Sequence, residues 1–150
     1  MKQFDLKQGE SGYTIIELLA VIAIIAILSL TAFANIAEVG NPLANAAFAS
    51  ENYFRLARTD AMAHTRAIIV APVSATEVRA SSSDSCDGTL TPMPSLTLTL
   101  PRRVHLVSTS WSVCLTQRGL ANETTSVALV DSDGHTKTVK VSLGGGTMVE

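Results

Sequence analysis

One stretch limits what this chain can become more than any other. From Leu18 to Ala37 the sequence is apolar for 20 residues, broken only by Ser29, Thr31 and Asn35. As an α-helix at about 1.5 Å per residue it would be roughly 30 Å long, about one hydrocarbon core. Lys2 and Lys7 precede it and favour a cytoplasmic N-terminus. Glu17 stands at its head. A carboxylate there costs up to about 2.5–3.5 kcal/mol on membrane-insertion scales and calls for a partner.

The residues ahead of the run carry a resemblance. Gly12-Tyr13-Thr14-Ile15-Ile16-Glu17, followed at once by the apolar helix, resembles the type III signal sequence of type IV pilins and type II secretion pseudopilins. Tyr13 departs from the usual Phe or Met, and Ala34 stands where major pilins carry a helical proline. The resemblance implies that a prepilin peptidase cuts between Gly12 and Tyr13, that Tyr13 is then N-methylated, and that Glu17 pairs with the N-terminal amine of a neighbouring subunit. An ordinary secretory signal peptide is the competing reading, because Ala32-Phe33-Ala34 fits an A-x-A site. Its apolar region would be unusually long, and Glu17 badly placed within it. A plain single-pass anchor is a further alternative.

Without leader and apolar helix about 110 residues remain, enough for one modest core. The net charge is −2, and only 5% of residues are aromatic. Neither a basic surplus nor stacking platforms mark a nucleic-acid binder. A domain beyond the inner membrane meets oxidising conditions. Cys86 and Cys114 are then expected to form a disulfide, and no second pair or nearby His gives metal-ligand spacing.

Gly40-Asn41-Pro42 interrupts the helical pattern. From Pro42 to Arg66 the pattern resumes, with Leu43, Ala47, Phe54, Ala57 and Ala61 on one apolar stripe. Strands are expected after Arg66: at 67–71, 96–100, 104–107, 111–115, 127–130, 136–141 and 147–149. Asp131-Ser132-Asp133-Gly134-His135 marks a hairpin. Ser81 to Ser85 and Pro92-Met93-Pro94 read as loops. The expected fold class is α+β: a long N-terminal helix, half membrane and half amphipathic, packed on an antiparallel, pilin-like β domain. The boundaries are a cleaved leader at 1–12, the membrane and assembly helix at 13–39, the amphipathic helix at 42–66 and the β-rich domain at 67–150.

Leu56-Ala57-Arg58-Thr59-Asp60-Ala61-Met62-Ala63 is similar to the "LARSEAI" segment of GspH/FimT-type minor pilins and pseudopilins. That resemblance implies a minor pilin-like subunit that joins or primes a filament, with a GspH-type pseudopilin of a secretion system as the alternative. The implied partners are other pilins, met through the N-terminal helix, the prepilin peptidase and the inner membrane. The precursor would lie in the inner membrane and the processed form in a periplasmic or surface filament.

Catalysis has little support. His64, His105 and His135 fall on separate elements, and no G-x-S-x-G occurs. An enzyme, a cofactor and a metal are therefore not expected. A calcium loop starting at Asp131 needs Glu at its twelfth position, where Ser142 stands. Some FimT-type proteins resemble DNA receptors that use arginines near the C-terminus. This chain has no Arg after Arg118, which leaves a DNA-binding role weakly supported.

Overall fold

The computed structural model describes residues 14–36, with side chains as far as Ala26, and residues 41–150. The leader Met1 to Gly12, Tyr13 and the 37–40 junction lie outside the described residues. Two compact units divide the chain at Gly40. The first contains α1, Ile15–Ile36. Over the described residues no helix is long and apolar enough to cross a membrane.

The second unit begins with α2, Pro42–Ala63. Its start is specified locally. Asn41 caps the helix by accepting the Ala44 N–H at 3.1 Å, and Pro42 fills a first-turn position where no backbone donor is needed. The expected end at Arg66 comes too late. The helix stops at Ala63, with His64 as its C-cap, because Thr65 turns to a left-handed φ of 50°. The expected stripe is buried in full and widened by Ala46, Ser50 and Tyr53. Its alanines leave little side chain between helix and sheet, so the two approach closely.

Eight strands follow: β1 Ala67–Ser74, β2 Glu77–Ser83, β3 Thr91–Thr99, β4 Val104–Leu106, β5 Val113–Leu115, β6 Thr125–Asp131, β7 Thr136–Val141 and β8 Thr147–Val149. They form two antiparallel sheets, ordered β3-β2-β1-β5 and β4-β6-β7-β8. α2 packs against strands of both. The shared core holds Phe54 and Ala57 from the helix, Ile68 and Val70 from β1, Leu115 from β5, and Leu129, Val139 and Val141 from the second sheet. The fold class is α+β.

Two expectations fail here. Ser81 to Ser83 are strand rather than loop, and Ser82 and Ser83 are buried. Small hydroxyl residues can pack where a sheet lies close to its neighbours, yet their composition is that of a turn. Pro92-Met93-Pro94 is also strand. β3 is an edge strand, and an edge is where missing backbone donors are tolerated.

The β2–β3 register jumps between Arg79 and Ala80, which pair with Thr97 and Met93. Pro94, Ser95 and Leu96 are thereby left out of the ladder. Tyr53 repairs part of that gap, its hydroxyl donating to the Leu96 carbonyl at 3.1 Å. Thr97 Oγ1 donates to the Pro94 carbonyl at 3.2 Å. Burial pushes the Tyr53 phenol well above its ordinary value of 10. A raised folded-state value means stability is intact below pH 10 and falls above it, as the unfolded phenol ionises and the folded one does not. Tyr53→Phe should cost about 1–2 kcal/mol at neutral pH. It should also flatten the alkaline decline, as read by urea titrations at pH 7 and pH 10.5.

Candidate functional site: the head of the apolar helix

The expected cleavage residues Gly12 and Tyr13, the second also the expected methylation site, lie outside the described residues. Glu17 lies in the first turn of α1 and is exposed. The turn is closed by Thr14. Its carbonyl accepts the N–H groups of Glu17 at 3.0 Å and Leu18 at 3.2 Å, and its hydroxyl accepts the Glu17 N–H at 3.3 Å. Thr14-Ile15-Ile16-Glu17 thus supplies the first half of a capping box. Sequence reasoning passed over Thr14, although the T-x-x-E spacing ahead of an apolar run is a recognisable signal.

This geometry limits what Glu17 must do. Its backbone N–H is satisfied by Thr14, and its carboxylate makes no ion pair among the described residues. A carboxylate in a first turn gains about 0.3–1 kcal/mol from the positive helix end. That is a minor share of the about 2.5–3.5 kcal/mol an intramembrane charge can cost.

The structure brings Cys86 and Cys114 together as a disulfide, with Cα atoms 5.7 Å apart. It ties the β2–β3 connection to β5, where Cys114 pairs with Ile69 of β1. Asn122 supports the same strand, accepting the Cys114 N–H through Oδ1 at 2.8 Å. Closing a loop over a separation of 28 residues contributes about 3–4 kcal/mol in the chain-entropy model. A Cys86→Ser/Cys114→Ser chain should lose about that much, with an earlier urea midpoint, and reductant should then have no further effect on it.

The histidines remain on separate elements. His64 lies 2.8 Å from Asp60 at the end of α2, and His105 is exposed on β4. His135 closes the β6–β7 hairpin, 3.1 Å from Asp131 Oδ2. Ligand atoms of Asp131, Asp133 and His135 lie within 4.8 Å of one another. The hairpin itself uses them: Asp131 Oδ1 accepts the N–H groups of Asp133 and His135, each at 2.9 Å, and Gly134 takes the required left-handed φ of 86°. Desolvation pushes the Asp131 carboxyl upward, but the hydrogen bonds from His135 and Asp133 outweigh it and hold the group below the usual carboxylate value.

Residues 7–33 match the family model of the prokaryotic N-terminal methylation motif. No curated protein matches the chain. Among solved structures, the type IV minor pilin FimU of Pseudomonas aeruginosa PAO1 is similar in two crystal forms. The P21 form has a TM-score of 0.57 at 18% identity, over 73% of this chain and 89% of that one. The P65 form has a TM-score of 0.54 at 18% identity, over 72% and 92%. The chain thus carries that methylation motif near its start, and its body has a fold similar to that of a type IV minor pilin.

Proposed function

We propose that the chain is a minor type IV pilin-like subunit of the GspH/FimT kind, which joins or primes a filament and has no catalytic role. The leader to Gly12 holds the precursor in the inner membrane until a prepilin peptidase cuts before Tyr13. The new amine is methylated, and α1 packs laterally among the helices of other pilins through head-to-tail contacts. Glu17 is offset by the Tyr13 amine of a neighbour, which removes a lone charge from the apolar layer. The β domain supplies contacts particular to this subunit.

The observation that carries this reading is the methylation motif at 7–33 ahead of a domain folded like a minor pilin. That likeness favours a pilus over a secretion machine. DNA binding gains no support from the late cations. Lys137 and Lys140 are three apart on β7, so they fall on opposite faces of the sheet and form no common patch.

Intact mass and N-terminal sequencing of the native protein test the proposal. The expected product is a methylated chain of 138 residues (150 minus 12) starting at Tyr13. A bulky substitution at Gly12 should leave an uncut precursor, heavier by about 1.3 kDa, the 12-residue share of 15.8 kDa over 150 residues. A start at Asn35 would mean ordinary secretion and end the proposal.

A further inference from the structure

A cleft of about 380 Å³ lies between the β2–β3 connection and the turn after β5. Asp84 and Cys86 line one wall, Thr116, Arg118 and Leu120 the other, and Ala67 of β1 also borders it. Two opposite charges share this cleft. Asp84 and Arg118 are both exposed, so a solute can reach them. Neither side chain makes a hydrogen bond or ion pair among the described residues, and the two stand too far apart to pair with each other. A larger hollow on the outer face of β1, β2 and β3, about 610 Å³, also holds an acid and an arginine. There Glu77 and Arg79 are joined at 2.6 Å and neutralise one another.

Both walls are fixed before any ligand arrives. The disulfide ties Cys86 to Cys114 of β5. Gln117 Nε2 donates to the Asp84 carbonyl at 2.9 Å and joins the two walls directly. The turn bearing Arg118 is closed by the Thr116 N–H on the Leu120 carbonyl and the Gly119 N–H on the Thr116 carbonyl, each at 2.8 Å. The Leu120 N–H donates to the Thr116 hydroxyl at 3.2 Å. Walls held in this way have little order left to lose on binding. Leu120 remains 46% exposed at the mouth, so apolar surface is there to be covered.

We infer that this cleft binds a free amino acid with an apolar side chain, its carboxylate on Arg118, its ammonium on Asp84 and its hydrocarbon part against Leu120. Size and charge select the ligand together. The volume is near the lower end of the roughly 300–1,000 Å³ of ligand pockets and suits a small molecule. A simple anion would meet Arg118 but be repelled by Asp84, and a simple cation the reverse. A ligand with both signs satisfies both walls. The guanidinium fork matches a carboxylate, and an ammonium brings donors to an acceptor-only Asp. Covering Leu120 adds an apolar gain that a wholly polar zwitterion lacks. The site does not depend on the filament reading.

The test is NMR of the full chain in detergent micelles, labelled with 15N, at constant ionic strength. L-Leucine should shift the backbone amide signals of Gln117, Arg118 and Leu120 and the Gln117 side-chain amide saturably. Leucinamide lacks the carboxylate and isocaproate lacks the ammonium, and each should bind about fivefold more weakly or worse. Arg118→Gln should remove the advantage of leucine over leucinamide, and Asp84→Asn its advantage over isocaproate. Both side chains are exposed and bond nothing, so the fold should persist in either variant. Asp84→Arg combined with Arg118→Asp rebuilds the charge pair in reverse and should recover leucine binding, which damage to the loops would not allow. Leucine acting no more than its two single-charge analogues overturns the inference. So does an unchanged response to leucine in Arg118→Gln or Asp84→Asn.

Discussion

Gly145→Val is expected to destabilise the β domain by about 4 kcal/mol or more, a large part of a typical domain's 5–15 kcal/mol. Two costs add. A branched residue at a φ of 71° gives up roughly 1–2 kcal/mol of backbone preference. The larger cost is steric, because any Cβ at 145 runs into the carbonyl of Gly119. That obstacle is backbone, held by the Gly119 N–H to Thr116 at 2.8 Å and the Ala121 N–H to Leu143 at 3.0 Å. It cannot swing aside like the end of a side chain. Gly144→Ala is the control one residue away. A Cβ there meets nothing nearer than Ser142 Oγ at 4.0 Å, so its urea midpoint should stay within about 0.5 kcal/mol of the parent. Equal effects at both positions would show that the close approach of the two turns is not what holds this end of the domain.

Glu17→Ala is expected to leave processing and membrane residence intact while entry into filaments falls about 30-fold. The figure follows from the roughly 2 kcal/mol of charge cost left for a partner once the helix end is counted, at 1.4 kcal/mol per factor of ten. Thr14 still caps the first turn through the backbone N–H of residue 17, so the helix itself should persist. The separation of helix formation from assembly makes the experiment informative. Subunit counts in sheared filaments, set against membrane levels, give the readout. Undiminished incorporation would remove Glu17 from the assembly mechanism.

The elements legible in the sequence are those whose signals are local. Asn41-Pro42 marks the start of α2 because a cap and a first-turn proline act within one turn. Asp133-Gly134 marks the β6–β7 hairpin for the same reason. The alanine-rich stripe gave the buried face of the helix but not its depth, since Ser50 and Tyr53 are buried by contacts and hydrogen bonds of their own. β2 and the proline-bearing part of β3 were hidden because position in the sheet overrides composition. Serines pack where a neighbour leaves no room for more, and prolines survive where no partner strand needs their donors. The close approach of the Gly119 and Gly145 turns to each other and to Arg58 is the extreme case. Nothing near Arg58 in the chain points to it, because both turns lie far along the sequence.

The outer strands have a consequence for how copies of such a domain can associate. Both sheets end in strands that make poor templates: β4, β5 and β8 have three residues each, and β3 carries Pro92 and Pro94. A fifth strand from another molecule would find little ladder to extend. Lateral growth by sheet extension is therefore closed to this protein. Crowded side by side, copies of the domain stay separable, and any ordered polymer must be built through surfaces other than the sheet margins.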